Sequence, residues 1–334
     1  MAYTANPDRY SEMLYSPCGR SGLQLPRIAL GFWQNFGEDA DPALVKELCY
    51  TAMDCGITYF DLANNYGPNP GAAESNLGNL MRTELKPYRD ELVIATKAGH
   101  PMWPGPYGNW GSRKHLFASL DQSLQRLGVD YVDIFYHHRM DPNTPLEETM
   151  DALCDLVKQG KALYIGLSKY DGPTMERAAK LLEDRHCPFV VCQNRYNILD
   201  RTIERNGLKE AIFKRDKGLV AFSPLARGLL TDRYFNGIPA GSYAARNRDF
   251  ARTLTDKRLA QVSCLNAVAA ERGQSLAQMA LSWVLRNKEV TSVLVGASSP
   301  QQIRENAAVA SQSHHFSDVE LFSIDDILDL PHEW

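Results

Sequence analysis

Short apolar runs alternate with helix-length amphipathic segments along almost the whole chain, and this alternation limits its fold more than any other feature. Strands are expected near 27–31, 58–61, 92–97, 131–137, 162–168, 189–193, 219–223 and 292–295, eight in all. Most are continuous apolar runs, as in parallel strands covered on both faces, and parallel pairing needs a long crossover that a helix supplies. The intervening helices carry start and stop signals. Asp41-Pro42 precedes ALVKELCYTAM, Ser112 precedes RKHLFASLDQSLQRL with Gly128 behind it, and Asn143-Thr144-Pro145 precedes LEETMDALCDLVKQ with Gly160 behind it. The strand–helix unit recurs about every 35 residues, which predicts an α/β fold, a (β/α)8 barrel with extra helices. A β-hairpin with strands near 13–17 and 23–25 is expected ahead of it. A length of 334 residues would also suit two domains, but the unbroken order of elements favours one domain over 1–334.

Composition narrows the partners. Thirty-six Lys and Arg against 40 Asp and Glu give a net charge of −4, and binding a phosphate backbone or an anionic membrane surface calls for a cationic surplus. A small molecule is the expected partner, with no nucleic acid and no membrane. Seven cysteines without a C-x-x-C pair read as reduced thiols rather than disulfides or a zinc site, so no metal is expected and the cytoplasm is the expected compartment. The opening MAYTANPDRYSEM lacks the apolar centre of a secretion signal, and no apolar run approaches the ~18 residues of a membrane span.

In a barrel of this kind chemistry comes from the carboxyl ends of the strands. The second expected strand ends at Asp61 and runs into LANNYG with Tyr66, the third ends at Lys97, the fourth reaches His137-His138-Arg139, and the sixth ends at Gln193. Tyrosine ordinarily titrates near 10, so it is a poor acid toward a carbonyl unless a cation favours its phenolate. Lys97 is placed to act in this way, and Asp61 to keep Lys97 charged. An imidazole orients the carbonyl oxygen or joins the relay. Alternation along the strand carries Val132, Ile134, Tyr136 and His138 to one face, which leaves His137, with His100, to packing or the rim. Asp61, Tyr66, Lys97 and His138 thus suit general-acid reduction of a C=O group, for which an electron source is still needed.

The motifs FDLANNYG, ATKAG, DIFYHHR, GLSKY, QNRYN, FSPLARGLL and VGASSPQQIREN, in this order, resemble those of the aldo-keto reductase superfamily. Within it, FDLANNYGPNPGAAE, TKAGHPMWPGPYG and RGQSLAQMALSW are similar to the bacterial L-glyceraldehyde 3-phosphate reductases, which are related to potassium-channel β subunits. The resemblance implies a catalytic tetrad of Asp61, Tyr66, Lys97 and His138, with Tyr66 as general acid. It also implies NADPH/NADP+ as the cofactor, bound without a Rossmann fingerprint. Ser168, Lys169 and Gln193 would lie near the nicotinamide carboxamide and Phe222 under its ring, with Trp33 and Asp61 as further cofactor-binding residues. Ser223, Leu225, Gly228 and Arg233 would pass over the pyrophosphate and ribose. Residues 296–306 would hold the adenosine 2′-phosphate end, in keeping with an anion at a helix amino terminus. Gly296 and Gln302 stand where Lys and Arg are expected, so Ser298, Gln302, Glu305 and Asn306 are carried over with them and Arg233 becomes the main cationic support. Lys169 replaces the small polar residue usual after Ser168.

Two long irregular stretches are candidate binding loops, PMWPGPYGNWG after Lys97 and PLARGLLTDRYFNGIPAGSYAARNRDF after Ser223. Trp33, Trp103, Tyr107 and Trp110 are expected to wall the substrate cleft beside Tyr66 and His138, and Arg139 to bind an anionic substrate group. The resemblance implies NADPH-dependent reduction of L-glyceraldehyde 3-phosphate and methylglyoxal by a homo-oligomer, tetramer or octamer. The first alternative is a non-catalytic NADP(H)-binding scaffold of the channel β-subunit type, although those usually carry Asn where this chain has His138. The second is a Schiff-base enzyme with Lys97 as nucleophile, which would need Lys97 neutral beside Asp61.

Overall fold

A computed structural model describes residues 3–330; positions 1–2 and 331–334, the ends of the span expected for the domain, lie outside the described residues. The chain opens with an antiparallel hairpin, β1 (Tyr15–Pro17) and β2 (Gln24–Pro26). Eight parallel strands follow: β3 (Ile28–Gly31), β4 (Tyr59–Asp61), β5 (Val93–Ala98), β6 (Val132–His137), β7 (Ala162–Ser168), β8 (Phe189–Arg195), β9 (Gly218–Phe222) and β10 (Val290–Val295). They pair in chain order, and β10 pairs with both β9 and β3, which closes the ring. Helices including α1 (Pro42–Asp54), α2 (Ala72–Met81), α3 (Arg113–Leu127), α4 (Leu146–Lys158) and α5 (Gly172–Asp184) make the crossovers. The closed eight-stranded barrel expected from the alternation is the fold observed.

Local chemistry explains most boundaries. Asp41 caps α1 through the Ala43 N–H, and Ser112 caps α3 through the His115 N–H. Gly128 ends α3 in the left-handed region at φ 68°. The cap expected at Asn143-Thr144 is corrected: Pro145 occupies the cap position with no side-chain acceptor, and the Asp141 carboxylate instead accepts from the N–H groups of Asn143 and Thr144. Strand β8 runs beyond the expected Gln193 because Asn194 and Arg195 find partners in Ala221 and Phe222 of β9.

Side chains alternate between two cores. Ala29, Tyr59, Ala95, Ile134, Tyr136, Val191, Val220 and Leu294 point into the barrel, while Phe60, Ile94 and Phe135 pack outward against the helices. The inner layer is tight enough to dictate a glycine: a Cβ at Gly166 would lie 2.2 Å from the Tyr136 ring. Cys18 and Leu25 of the hairpin belong to the same inner cluster, so the hairpin stoppers the amino-terminal end of the barrel. Only the carboxyl-terminal end is left to open as a cleft, and the inward positions there are Asp61, Lys97 and His138, next in register after Tyr59, Ala95 and Tyr136.

Candidate active site

A cleft of about 1200 Å³ opens at the carboxyl ends of the strands, running from β4 and β6 under the segment after β9 to the helix Pro300–Ala307. At its floor the buried Lys97 donates to Asp61 Oδ2 at 2.5 Å and to the Leu62 carbonyl at 2.6 Å. Asp61 Oδ1 accepts from Gln193 Nε2 at 2.8 Å and from the Tyr59 hydroxyl at 3.0 Å. The carboxylate is therefore held from both oxygens, and Lys97 is aimed past it at Tyr66, with Nζ 5.1 Å from the ring centroid. The His138 and Tyr66 ring centroids are 6.0 Å apart, and both side chains line the cleft.

The electrostatics differ from the sequence expectation in one respect. Burial, with Asp61 adding to it, pushes the Tyr66 phenol well above its ordinary value, whereas a cation-favoured phenolate was expected. Burial is the main cause and the Asp61 charge the second; on Lys97, burial pulls the ammonium below its usual range and Asp61 opposes that shift. Tyr66 is thus a protonated donor at neutral pH. His138 is driven well below its ordinary value by burial and by the nearby Lys169 and Lys97, so it is a neutral imidazole.

His137 faces the other way, its Nδ1 2.6 Å from the Tyr170 hydroxyl. His100 does not stay at the rim. It lines the cleft with its ring 4.4 Å from that of His138, and its Nε2 accepts from Lys169 Nζ at 3.2 Å.

Trp33, Ser168, Lys169, Gln193, Phe222, Ser223, Leu225, Gly228, Arg233, Gly296, Ser298, Gln302, Glu305 and Asn306 all line this cleft together with Asp61, Tyr66 and His138. Their surroundings suit a dinucleotide. Ser168 Oγ is buried with no partner in the protein, Phe222 presents a ring to the cleft, and no ion pair holds Arg233 among the described residues. At the far end Ser299 caps the helix Pro300–Ala307, and Gln302 Oε1 accepts from the Ser298 N–H and hydroxyl at 2.8 and 3.1 Å. Sequence reasoning did not single out Asn65, Arg227, Tyr243 and Arg246 as lining residues, although the last three lie in the stretch after Ser223 expected to be a binding loop. Arg227 carried a signal, since it lies inside the motif FSPLARGLL between two residues that were singled out.

Four expected substrate contacts are corrected. Trp103 packs on His115 with ring centroids 5.0 Å apart. Tyr107 is exposed beside Lys114. Trp110 lies under Arg139, whose guanidinium is 3.7 Å from the ring centroid. Arg139 also donates to the Gly99 carbonyl at 2.8 Å and to Asn109 Oδ1 at 2.9 Å. None of the four lines the cleft: the loop after β5 folds on itself, the Met102 N–H bonding the Gly108 carbonyl, and Arg139, from the segment after β6, is held against that loop.

A closed barrel with an acid–lysine–tyrosine–histidine cluster at its mouth and a long groove leading away defines an oxidoreductase acting on carbonyl compounds. The chain belongs to the aldo/keto reductase family, whose profile matches residues 27–329. It is 50% identical over 330 residues, 97% of this chain and 95% of the other, to the L-glyceraldehyde 3-phosphate reductase of Escherichia coli K12. It is also 37% identical over 302 residues, 88% and 90% of the two chains, to a probable voltage-gated potassium channel subunit beta of Oryza sativa subsp. japonica. Members of the family generally use NAD(P)H. No helix among the described residues is long and apolar enough to cross a membrane.

Proposed function

We propose that the protein reduces small aldehydes and ketones to alcohols with NADPH, L-glyceraldehyde 3-phosphate and methylglyoxal among them. The observation that carries this reading is the buried Lys97–Asp61 pair set behind a protonated Tyr66 and a neutral His138 at the end of a groove lined by the dinucleotide-type residues. NADPH bound in that groove supplies a hydride to the carbonyl carbon. Tyr66 gives its phenolic proton to the carbonyl oxygen, and the tyrosinate left behind faces the Lys97 ammonium. His138, uncharged, donates an N–H to the same oxygen and fixes its position. Asp61 holds Lys97 in line, and Gln193 and Tyr59 hold Asp61.

For the cofactor, Ser168, Lys169, Gln193, Trp33 and Asp61 surround the nicotinamide in this reading and Phe222 stacks on it. Ser223, Leu225, Gly228 and Arg233 follow its pyrophosphate and ribose. Gly296, Ser298, Gln302, Glu305 and Asn306 meet the 2′-phosphate end. We further propose one domain over 1–334, a cytoplasmic homo-oligomer, tetramer or octamer, and no nucleic-acid partner, a reading supported by the family resemblance and the slightly acidic charge.

The test is a spectrophotometric panel of NADPH and NADH against L- and D-glyceraldehyde 3-phosphate, methylglyoxal and aromatic aldehydes. Carbonyl-dependent oxidation, faster with NADPH, is expected. Tight NADPH binding without turnover on any member would overturn catalysis in favour of a nucleotide-binding scaffold.

A further inference from the structure

Lys169, placed beside the nicotinamide in the reading above, has no part in the proton transfer to the carbonyl oxygen. It follows β7 directly, in the left-handed region at φ 58°, a conformation that costs a non-glycine residue free energy. Its side chain turns into the cleft, with Nζ 3.2 Å from His100 Nε2 and 5.9 Å from the centroid of Phe222. His100 in turn stands edge-on to His138, ring centroids 4.4 Å apart. Lys169, His100 and His138 therefore form one continuous wall that starts at the position where a carbonyl oxygen would be held.

The charges on this wall are unbalanced. Among the described residues no carboxylate pairs with Lys169. Asp61, at the floor of the same cleft, is committed to Lys97, Gln193 and Tyr59. The charged neighbours that act on Lys169 are cations: Lys97 from β5, Arg139 after β6 and Arg195 from β8. Burial and these cations lower Lys169 to about 8, and burial with Lys169 and Arg139 lowers His100 to about 4. His100 is thus an uncharged acceptor that holds the ammonium without neutralising it. Arg139, the cation expected to meet an anionic substrate, is turned away by Trp110, Gly99 and Asn109.

We infer that Lys169, steadied by His100, is the subsite for an anionic substituent, a phosphate or a carboxylate, carried by a short aldehyde whose carbonyl lies at Tyr66 and His138. An anion there replaces a mutual repulsion among cations with a charge-assisted hydrogen bond. The inference rests on the reductase reading and adds to it the residue that recognises an anionic substituent.

The test compares kcat/KM for matched pairs, L-glyceraldehyde 3-phosphate with L-glyceraldehyde and 4-carboxybenzaldehyde with benzaldehyde, in the wild type, Lys169→Met and Lys169→Arg. The anionic-to-neutral ratio should fall about ten- to a hundredfold in Lys169→Met, mainly through KM, and recover in Lys169→Arg. Any damage to cofactor binding affects both members of a pair and cancels in the ratio. Loss of the phosphate pair's ratio alone would assign the subsite to phosphates, and loss of both to anions in general. Lys169 is charged below about 8 and loses its proton as pH rises through that value, so the carboxylate pair's ratio should be flat from pH 6 to about 7.5 and fall above it. It should stay flat in Lys169→Arg. The remaining titratable neighbours, Lys97, His100, His138, Tyr66 and Asp61, act on both members of each pair. A ratio unchanged in Lys169→Met overturns the inference while leaving the reductase reading intact. If no aldehyde is reduced at all, the reductase reading fails on its own, and the subsite is read by 31P line broadening of inorganic phosphate on the NADP+-saturated protein. Broadening absent from the wild type, or kept in Lys169→Met, overturns the inference; broadening lost in that variant supports it.

Discussion

In the loop after β5, Trp110 carries Arg139 from the segment after β6, Trp103 packs on His115, and the loop closes through the Met102–Gly108 backbone bond. In the segment after β9, Arg227 sits 4.6 Å from the Tyr243 ring centroid, 5.5 Å from Trp33 and 5.7 Å from Phe250, and still lines the cleft. Both clusters set an arginine against large aromatics, although the loop after β5 borrows its arginine from the segment after β6. In the first, the guanidinium's hydrogen-bonding edge is taken by Gly99 and Asn109, so the cluster is complete in itself. In the second, the aromatics clamp a strap whose Ser223, Ala226 and Arg227 all lie at positive φ, and Arg227, Arg233 and Arg246 line the groove. Composition is the same in kind; what separates a structural cluster from a binding wall is where the unsatisfied donors point.

The sharpest way to break this contrast is at the cleft floor. If the chemistry lies there and not in the loop after β5, Tyr66→Phe should lower kcat by about 10²–10⁴-fold, the usual worth of a positioned general acid. NADPH affinity, measured by tryptophan fluorescence, should hardly move, because the phenol's proton is needed for the chemistry and not for the groove. A variant as active as the wild type would remove Tyr66 from the reaction. A smaller effect is expected in the strap. Arg233→Ala should weaken NADPH about tenfold and NADH much less, the difference reporting the 2′-phosphate. Equal losses for the two cofactors, by titration calorimetry, would leave Arg233 on the pyrophosphate and ribose that both share and remove it from the 2′-phosphate.

The same contrast explains what was legible in the sequence. The barrel could be read because each strand's burial is a local property, repeated eight times, and caps such as Asp41 and Ser112 act within three residues of themselves. The convergence of Asp61, Lys97 and His138 followed from strand ends alone. Tyr66's protonation did not, because it depends first on how deeply the phenol is buried and then on the facing Asp61 charge, both set by tertiary packing. The His100–Lys169 contact joins residues 69 apart in two different loops, and no periodicity brings these together. The aromatic loop misled for a related reason: Trp110 is a pocket wall or a platform for Arg139 depending on a turn whose φ of 71° at Trp110 the composition does not announce.

That turn carries the smallest predicted effect and the most direct challenge to the contrast. Trp110→Ala removes the face on which Arg139 rests but leaves the bonds from Arg139 to Gly99 and Asn109, and the bond from the Trp110 N–H to Asn109 Oδ1, available. A partly desolvated cation–π contact is worth roughly 1–2 kcal/mol, so a modest loss of stability in chemical denaturation is expected. Because Arg139 does not line the cleft, kcat/KM should stay within about threefold of the wild type for anionic and neutral aldehydes alike, the shift left by a small local rearrangement. A drop beyond tenfold confined to anionic substrates, with stability unchanged, would mean that Arg139 turns into the cleft during turnover. The two stretches would then both be binding walls, and Lys169 would share its substrate with a second cation.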